Sequence, residues 1–286
     1  MSVLVNEFGD EGYDGRRLRT NNRYNVTELA NGCICCSLKP QLMSSIKKMY
    51  NDYQTDILLI EPTGLATSDQ ILDVVNRPSI KEFSSLSALL VVIDGSNFTN
   101  IYRAYRKFFE NQIKSADIIL INKADLIKKI EQKVLVSAVK EYNQSAIIEV
   151  IEHGNPPSRI SKMLNDNNVI KNRESSFSEK SKIDKNSQEN HHLHDHYFEQ
   201  VKSISIKIPQ NLSFQEITKK LLERIKNEDI LRIKGIIKDS KSIYGIDWNI
   251  GQQYINKTKI NPQEQADITE SSLTIIGNKI NKDWYF

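Results

Sequence analysis

Ile118-Ile119-Leu120-Ile121-Asn122-Lys123-Ala124-Asp125 is the stretch whose reading decides the fold. Four consecutive large aliphatic residues without polar alternation suit a parallel strand covered on both faces. The strand runs straight into a polar Asn-Lys-x-Asp, and a helical pattern follows over 128–143. A strand that passes through a polar loop into a helix is part of a βαβ unit. In an open parallel sheet such loops, at the carboxyl ends of strands, hold the ligand.

Outward from this segment the same rhythm repeats. Short runs rich in Val, Ile and Leu predict strands at 2–6, 56–61, 86–94, 117–122 and 147–151. Helices fill the intervals, for example over 98–115 and 128–143, and Leu42, Ile46 and Met49 mark a further helical face. The strands end in Asn6-Glu7-Phe8-Gly9, Glu61-Pro62-Thr63-Gly64, Asp94-Gly95 and Asn122-Lys123-Ala124-Asp125. An apolar strand ending in an acidic residue followed by Thr-Gly suits a loop that senses Mg2+ and phosphate. The carboxylate of Glu61 would lie near the ion, and Gly64, after Thr63, would let a backbone amide approach the γ-phosphate. Glu61, Thr63 and Gly64 are therefore the candidate catalytic residues, an ordinary strand-end cap being the plainer reading of the same four letters. Asn122, Lys123 and Asp125 resemble the guanine-reading motif of GTPases. In such a loop the Asp carboxylate accepts from guanine N1 and N2, the Asn amide supports base and loop, and the Lys stem covers the ring. Adenine does not offer those donors, so the motif selects GTP.

All three cysteines stand in Asn31-Gly32-Cys33-Ile34-Cys35-Cys36. Three thiols in a Cys-x-Cys-Cys run do not form a disulfide framework. Adjacent thiolates suit zinc or another thiophilic divalent ion. Ala30-Asn31-Gly32 reads as a turn, and the helical pattern beyond Lys39-Pro40 places the cysteines on a loop entering a helix. A helix start and the nearby Lys39 both favour thiolate. A buried inert cluster with one reactive thiol is the plainer alternative. A thiol redox protein using Cys33 and Cys36 is a third, for which the strand-end signatures have no use.

With 39 basic and 36 acidic side chains the net charge is +3, which argues neither for nucleic acid nor for an anionic membrane as partner. Apolar runs such as 86–93 fall far short of the ~20 residues of a spanning helix, and no charged-then-apolar signal segment opens the chain. A cytoplasmic, reducing location is the expectation.

Taken together, Asn6-Glu7-Phe8-Gly9, the Asn-Gly-Cys-Ile-Cys-Cys run, Glu61-x-Thr63-Gly64 and Asn122-Lys123-x-Asp125 resemble, in order and spacing, the CobW (cobalamin-synthesis-protein-like) family of GTPases. That family is related to the HypB and UreG metal-insertion GTPases. The resemblance implies a GTP-dependent metallochaperone delivering Zn2+ or Co2+ to a client metalloprotein. It implies Cys33, Cys35 and Cys36 as metal ligands, with Glu7 or Asp10 as carboxylate support. It extends into the C-terminal part, where Leu231-Arg232-Ile233-Lys234-Gly235 and Leu273-Thr274-Ile275-Ile276-Gly277 resemble that family's second domain.

These features divide the chain into a nucleotide-binding domain over 1–164, a polar linker over 165–198 and a small α+β domain over 199–286. The linker ends in His191-His192-Leu193-His194-Asp195-His196, four of the five histidines in the chain. Neutral imidazoles at that density bind zinc, nickel or copper adaptably, a solvated loop being the plainer reading. From Glu199 the pattern predicts strands near 201–208, 230–237, 242–247 and 271–276 and a helix at 214–227, with helices on one face of a mainly antiparallel sheet.

No Gly-x-x-x-x-Gly-Lys-Ser/Thr occurs in the sequence. The expected fold is thus a P-loop-GTPase-like parallel sheet lacking its first strand and phosphate loop, with GTP turnover by the chain as given impaired. Three explanations stand side by side: a truncated or misassigned start, a loop supplied by another chain, or a nucleotide-independent zinc or cobalt module. A gene fragment without function is the extreme form of the first. Strand edges left unpaired by the missing element would invite self-association.

Overall fold

Every residue of strand β1 (Ser2–Val5) is buried, as a strand covered on both faces requires. The computed structural model describes residues 1–5, 25–28, 38–62, 66–165, 201–209, 211–239, 242–260, 268–278 and 280. Within it, β1 pairs in parallel with β2 (Asn25–Glu28) on one side and β3 (Leu58–Glu61) on the other. The chain divides into two compact units, one of Met1–Leu65 with Asp195–Phe286 and one of Ala66–His194.

In the first unit, helix α1 (Leu38–Tyr53) packs against β1. It buries Leu42, Ile46 and Met49, the face expected from their spacing. The C-terminal part of the same unit is a five-stranded sheet in the order β10-β9-β8-β11-β7, antiparallel throughout. Its strands are β7 (Val201–Ile208), β8 (Ile230–Asp239), β9 (Ser242–Asn249), β10 (Asn256–Lys259) and β11 (Ser271–Asn278). Helix α8 (Phe214–Asn227) buries Ile217 and Leu221 in a core with Ile233, Trp248 and Ile275. This is the α+β arrangement that the alternating apolar pattern predicts; β10, polar in all four residues, was not expected.

The second unit is built on a parallel sheet in the order β4-β5-β6 (Leu90–Asp94, Ile118–Asn122, Ile147–Val150). Its central strand β5 is buried over Ile118, Ile119, Leu120 and Ile121. Around the sheet lie α2 (Ser68–Val75), α3 (Pro78–Lys81), α4 (Phe98–Ala104), α5 (Arg106–Ser115), α6 (Lys129–Tyr142) and α7 (Ser158–Asn165). Ile113, Ile119, Ile121, Leu135 and Val139 form one core cluster, and Ile118, Leu120, Ile151 and Ile160 another. Each unit thus holds three parallel strands, as the α/β rhythm predicts for this part of the chain.

One expected helix is corrected. The span 98–115 is two helices, broken at Tyr105, whose φ of −134° and ψ of 40° lie outside the helical region. No glycine or proline lies at the break; aromatic packing accompanies it. With the chain bent there, Phe98 stacks on Tyr102, and Phe109 sets its edge against both at 5.0 and 5.7 Å between centroids. The Tyr102 hydroxyl also reaches the Tyr142 hydroxyl of α6 at 2.6 Å. Arg106, the first residue after the break, lies over the Tyr102 ring and donates to Glu110, which holds that carboxyl below its ordinary range.

Candidate functional site

Asn122 ends β5 and pairs in register with Asp94, the last residue of β4, so two neighbouring parallel strands deliver their polar ends to one place. Lys123 follows in the left-handed region, φ 61° and ψ 35°, at a cost of ~1–2 kcal/mol for a residue with a Cβ. That turn redirects the chain into the short 3-10 helix Ala124–Leu126. The loop is held on every side. The Ala124 N–H donates to the Ile151 carbonyl at 3.2 Å, and the Ile151 N–H donates to the Ile121 carbonyl at 2.8 Å. From α6, buried Gln132 donates through Nε2 to the Ala124 carbonyl at 2.8 Å.

Asn122, Lys123 and Asp125 each have a distinct setting. Asn122 Oδ1 accepts the Gly154 N–H at 3.0 Å. It thereby pins the turn after β6, where His153 and Gly154 are both left-handed, with φ of 53° and 71°. Lys123 Nζ donates to Asp94 Oδ2 at 2.6 Å, while Asp94 Oδ1 accepts from the Ser96 N–H at 3.0 Å and from its hydroxyl at 2.6 Å. The Lys–Asp pair is partly exposed and contributes little to stability, about 0–1 kcal/mol; its effect is to fix the direction of the lysine stem. Gly95 allows this close approach, since a Cβ there would stand 3.0 Å from the Asn122 carbonyl oxygen. Asp125 is exposed and has no partner among the described residues. A carboxylate left open beside a fixed lysine stem and a pinned amide fits two adjacent N–H donors of a planar base.

The remaining expected residues are placed as follows. Glu61 is exposed at the end of β3, in register with Val5 of β1. Thr63, Gly64, Glu7, Asp10, Cys33, Cys35, Cys36, His191, His192, His194 and His196 lie outside the described residues. Among the described residues no group of three or more His, Cys, Asp or Glu side chains gathers to hold a metal. No helix among them is long and apolar enough to cross a membrane.

Two features of the site carry no local sequence signal. Asp94 is legible as a strand end but not as the anchor of Lys123, which only the register of β4 and β5 reveals. At the start of the second unit, Gln112 of α5 donates to the Ala66 carbonyl at 2.9 Å and accepts from the hydroxyl of buried Ser68. Asn111 beside it donates to Asp69 at 2.9 Å. These polar contacts fix where α2 begins, together with the Thr67–Gln70 capping box.

Parallel strands packed with helices, with polar residues gathered at their carboxyl ends, define an open α/β protein of the kind that binds its ligand beyond those ends. Residues 1–149 match the family described as CobW/HypB/UreG, nucleotide-binding domain, and the chain belongs to that family. The zinc chaperone YeiR of Escherichia coli (strain K12) is 36% identical over 124 residues, 43% of this chain and 38% of that protein. The zinc chaperone CobW of Sinorhizobium sp is 27% identical over 154 residues, 44% of this chain and 44% of that protein. The chain thus spans about two fifths of the length of the curated relatives it matches. Among solved structures, Zn(II)-bound YjiA GTPase from E. coli aligns with a TM-score of 0.44 at 18% identity, covering 98% of this chain and 86% of that one.

Proposed function

We propose that the protein acts as a guanine-nucleotide-dependent metallochaperone, carrying a thiophilic divalent metal on Cys33, Cys35 and Cys36 to a client metalloprotein in the cytoplasm. The observation that carries this reading is the exposed, unpartnered Asp125 carboxylate on a loop otherwise tied down by backbone bonds. Family membership and zinc-chaperone relatives support the metal half. Residues 1–164 supply the nucleotide site in this reading, 165–198 an adaptable His-bearing linker, and 199–286 the surface for the client.

The chain's own residues do the following. Asp125 accepts from guanine N1 and N2, which adenine does not offer. Lys123, its ammonium held by Asp94, lays its stem along the ring, and Asn122 holds the Gly154 turn against the base. Glu61, Thr63 and Gly64 are the residues that would serve the phosphates, Glu61 as a carboxylate for Mg2+ and Gly64 as a backbone amide for the γ-phosphate. Bound GTP·Mg2+ supplies the charge these loops respond to. In this reading, nucleotide-driven movement of the loops around Glu7 and Thr63 would change how the cysteines hold metal, so that metal is held in one nucleotide state and released in the other.

The test has two arms. Fluorescent guanine and adenine nucleotides are titrated with the wild-type chain and Asp125→Ala; the variant is expected to lose the guanine preference. Zinc affinity is then measured by competition with a chelating dye, with and without GTP·Mg2+. Equal affinity in both would overturn the coupling and leave a nucleotide-independent metal binder.

A further inference from the structure

Leu126, Ile130 and Val134 are 62%, 65% and 63% exposed. Single apolar side chains on a surface are ordinary. Here three of the four most exposed large apolar residues among those described, Tyr254 being the fourth, fall within nine consecutive positions. Ile130 and Val134 stand four apart on α6 and share one face, and Leu126 lies on the turn just before the helix. The opposite face of α6 buries Gln132, Leu135 and Val139, so the helix already has the packing that holds it to the fold. The exposed residues are not needed for that purpose.

Along α6 the basic side chains beside Ile130 and Val134 keep to one flank, while the exposed carboxylate of Asp125 stands next to Leu126, before the helix. Lys129, Lys133 and Lys140 are exposed and follow one another along the same flank at helical spacing. Glu131, on the other side, is committed to the helix start, where Oε2 accepts the Lys128 N–H at 2.7 Å. Glu141 closes the apolar strip at its C-terminal end. The exposed face of α6 is therefore an apolar strip with a lysine row along one edge.

We propose that this face docks an acidic amphipathic helix of a partner protein. Apolar residues of that helix at i, i+3 or i+4 spacing would seat on Leu126, Ile130 and Val134, and a row of carboxylates would meet Lys129, Lys133 and Lys140. A second copy of this chain fits less well, because an antiparallel pair of α6 faces would set lysine row against lysine row. A lipid surface fits less well too. The strip has aliphatic residues and no aromatic, and its cations lie on one flank rather than both. The proposal needs no nucleotide, so its test stands apart from that of the metallochaperone reading.

The probe is a stapled helical peptide of about four turns, with leucines along one face and glutamates along one flank. Its binding to the full chain is followed by fluorescence anisotropy without nucleotide. Saturable binding is expected, weakened at least ~tenfold by Ile130→Asp or Val134→Asp, both at exposed positions that leave the fold intact. The pair Lys133→Glu and Lys140→Glu should reverse the preference toward a peptide with lysines in place of the glutamates. The proposal is overturned if a scrambled peptide of the same composition binds equally, or if these variants leave binding unchanged. It is also overturned if the variants instead abolish binding to phosphatidylserine vesicles, or self-association in sedimentation, which would assign the face to a membrane or to a second copy.

Discussion

Replacing Asn143 with alanine should loosen the second unit at the root of the strand that carries the Asn122–Asp125 loop. Asn143 is 7% exposed at the end of α6. Its Nδ2 donates to the carbonyls of Ile113 at 2.7 Å and Ala116 at 2.9 Å. Its Oδ1 accepts from the amides of Ser145 at 3.1 Å and Ala146 at 3.0 Å. One side chain thus ties the end of α5, the approach to β5 and the approach to β6. Alanine removes these four bonds, and with them a long contact of Nδ2 to the Lys114 carbonyl at 3.5 Å. The Ile113 carbonyl keeps the Ala116 N–H at 3.2 Å and loses little. Ser145 is exposed, so water replaces part of its bond. The other two groups stand near the ordinary cost of an unsatisfied buried peptide group, ~1–3 kcal/mol each, for a total of about 3 kcal/mol. Because the chain has two units, a single unfolding curve is the wrong assay. Native-state hydrogen exchange on β5 peptides reads the local opening instead, and about 3 kcal/mol corresponds to roughly a hundredfold faster exchange. Peptides of β11, in the other unit, should not change. Asn143→Asp should not rescue, since it keeps the acceptor but turns a carboxylate toward two carbonyls. A change under tenfold in β5, or an equal change in β11, would refute this account.

Other perturbations act at separate places. In Gly235→Ala the new Cβ would stand 2.2 Å from the Ser272 carbonyl oxygen and 2.8 Å from the Leu273 Cα, both backbone of the paired strand. The sheet would have to open, at a cost of about 3 kcal/mol or more, read as a lower denaturation midpoint for the C-terminal sheet. Glu216, at the start of α8, has its carboxyl held below the ordinary range because the Ser213 hydroxyl and N–H both donate to it. A depressed folded pKa means that this support is present above the unfolded carboxylate range and is lost as pH falls through the folded value. Protection of the first-turn amides of α8 should fall on acidification, and Glu216→Gln should remove that dependence. Gln112→Leu removes the bond to the Ala66 carbonyl and leaves the buried Ser68 hydroxyl alone. Exchange in α2 should rise by about tenfold while α6 is unchanged, and no rise would mean that the capping box alone sets where α2 begins.

Strand β5 was legible because burial on both faces forces an unbroken aliphatic run, and the Asn-Lys-x-Asp loop was legible because it follows that run directly. Strand β2 was not: Asn-Val-Thr-Glu has one large apolar residue, and its extended form comes from pairing with β1. The break at Tyr105 was hidden for a related reason. The apolar spacing over 98–115 is helical throughout, and the break coincides with aromatic contacts that reach across to Tyr142. Asp94, Asn111, Gln112 and Asn143 share this character, since each acts on residues 27 to 46 positions away along the chain. Periodicity reports which face is buried, not which distant carbonyl a side-chain amide will meet.

Helix α6 touches both proposed sites, one through each face. Its buried face reaches the Asn122–Asp125 loop through Gln132, which donates to the Ala124 carbonyl at 2.8 Å and to the Ile127 carbonyl at 3.4 Å. Its outer face carries Ile130 and Val134. A partner seated on the outer face that displaces the helix must therefore either carry Ala124 and the adjacent Asp125 with it or break a buried bond. By linkage, any factor by which such a partner changes guanine affinity is the factor by which the nucleotide changes affinity for the partner. Gln132→Leu, which keeps the helix packed but removes its bond to the loop, should uncouple the two without abolishing either. Persistence of equal coupling in that variant would show that the connection runs elsewhere.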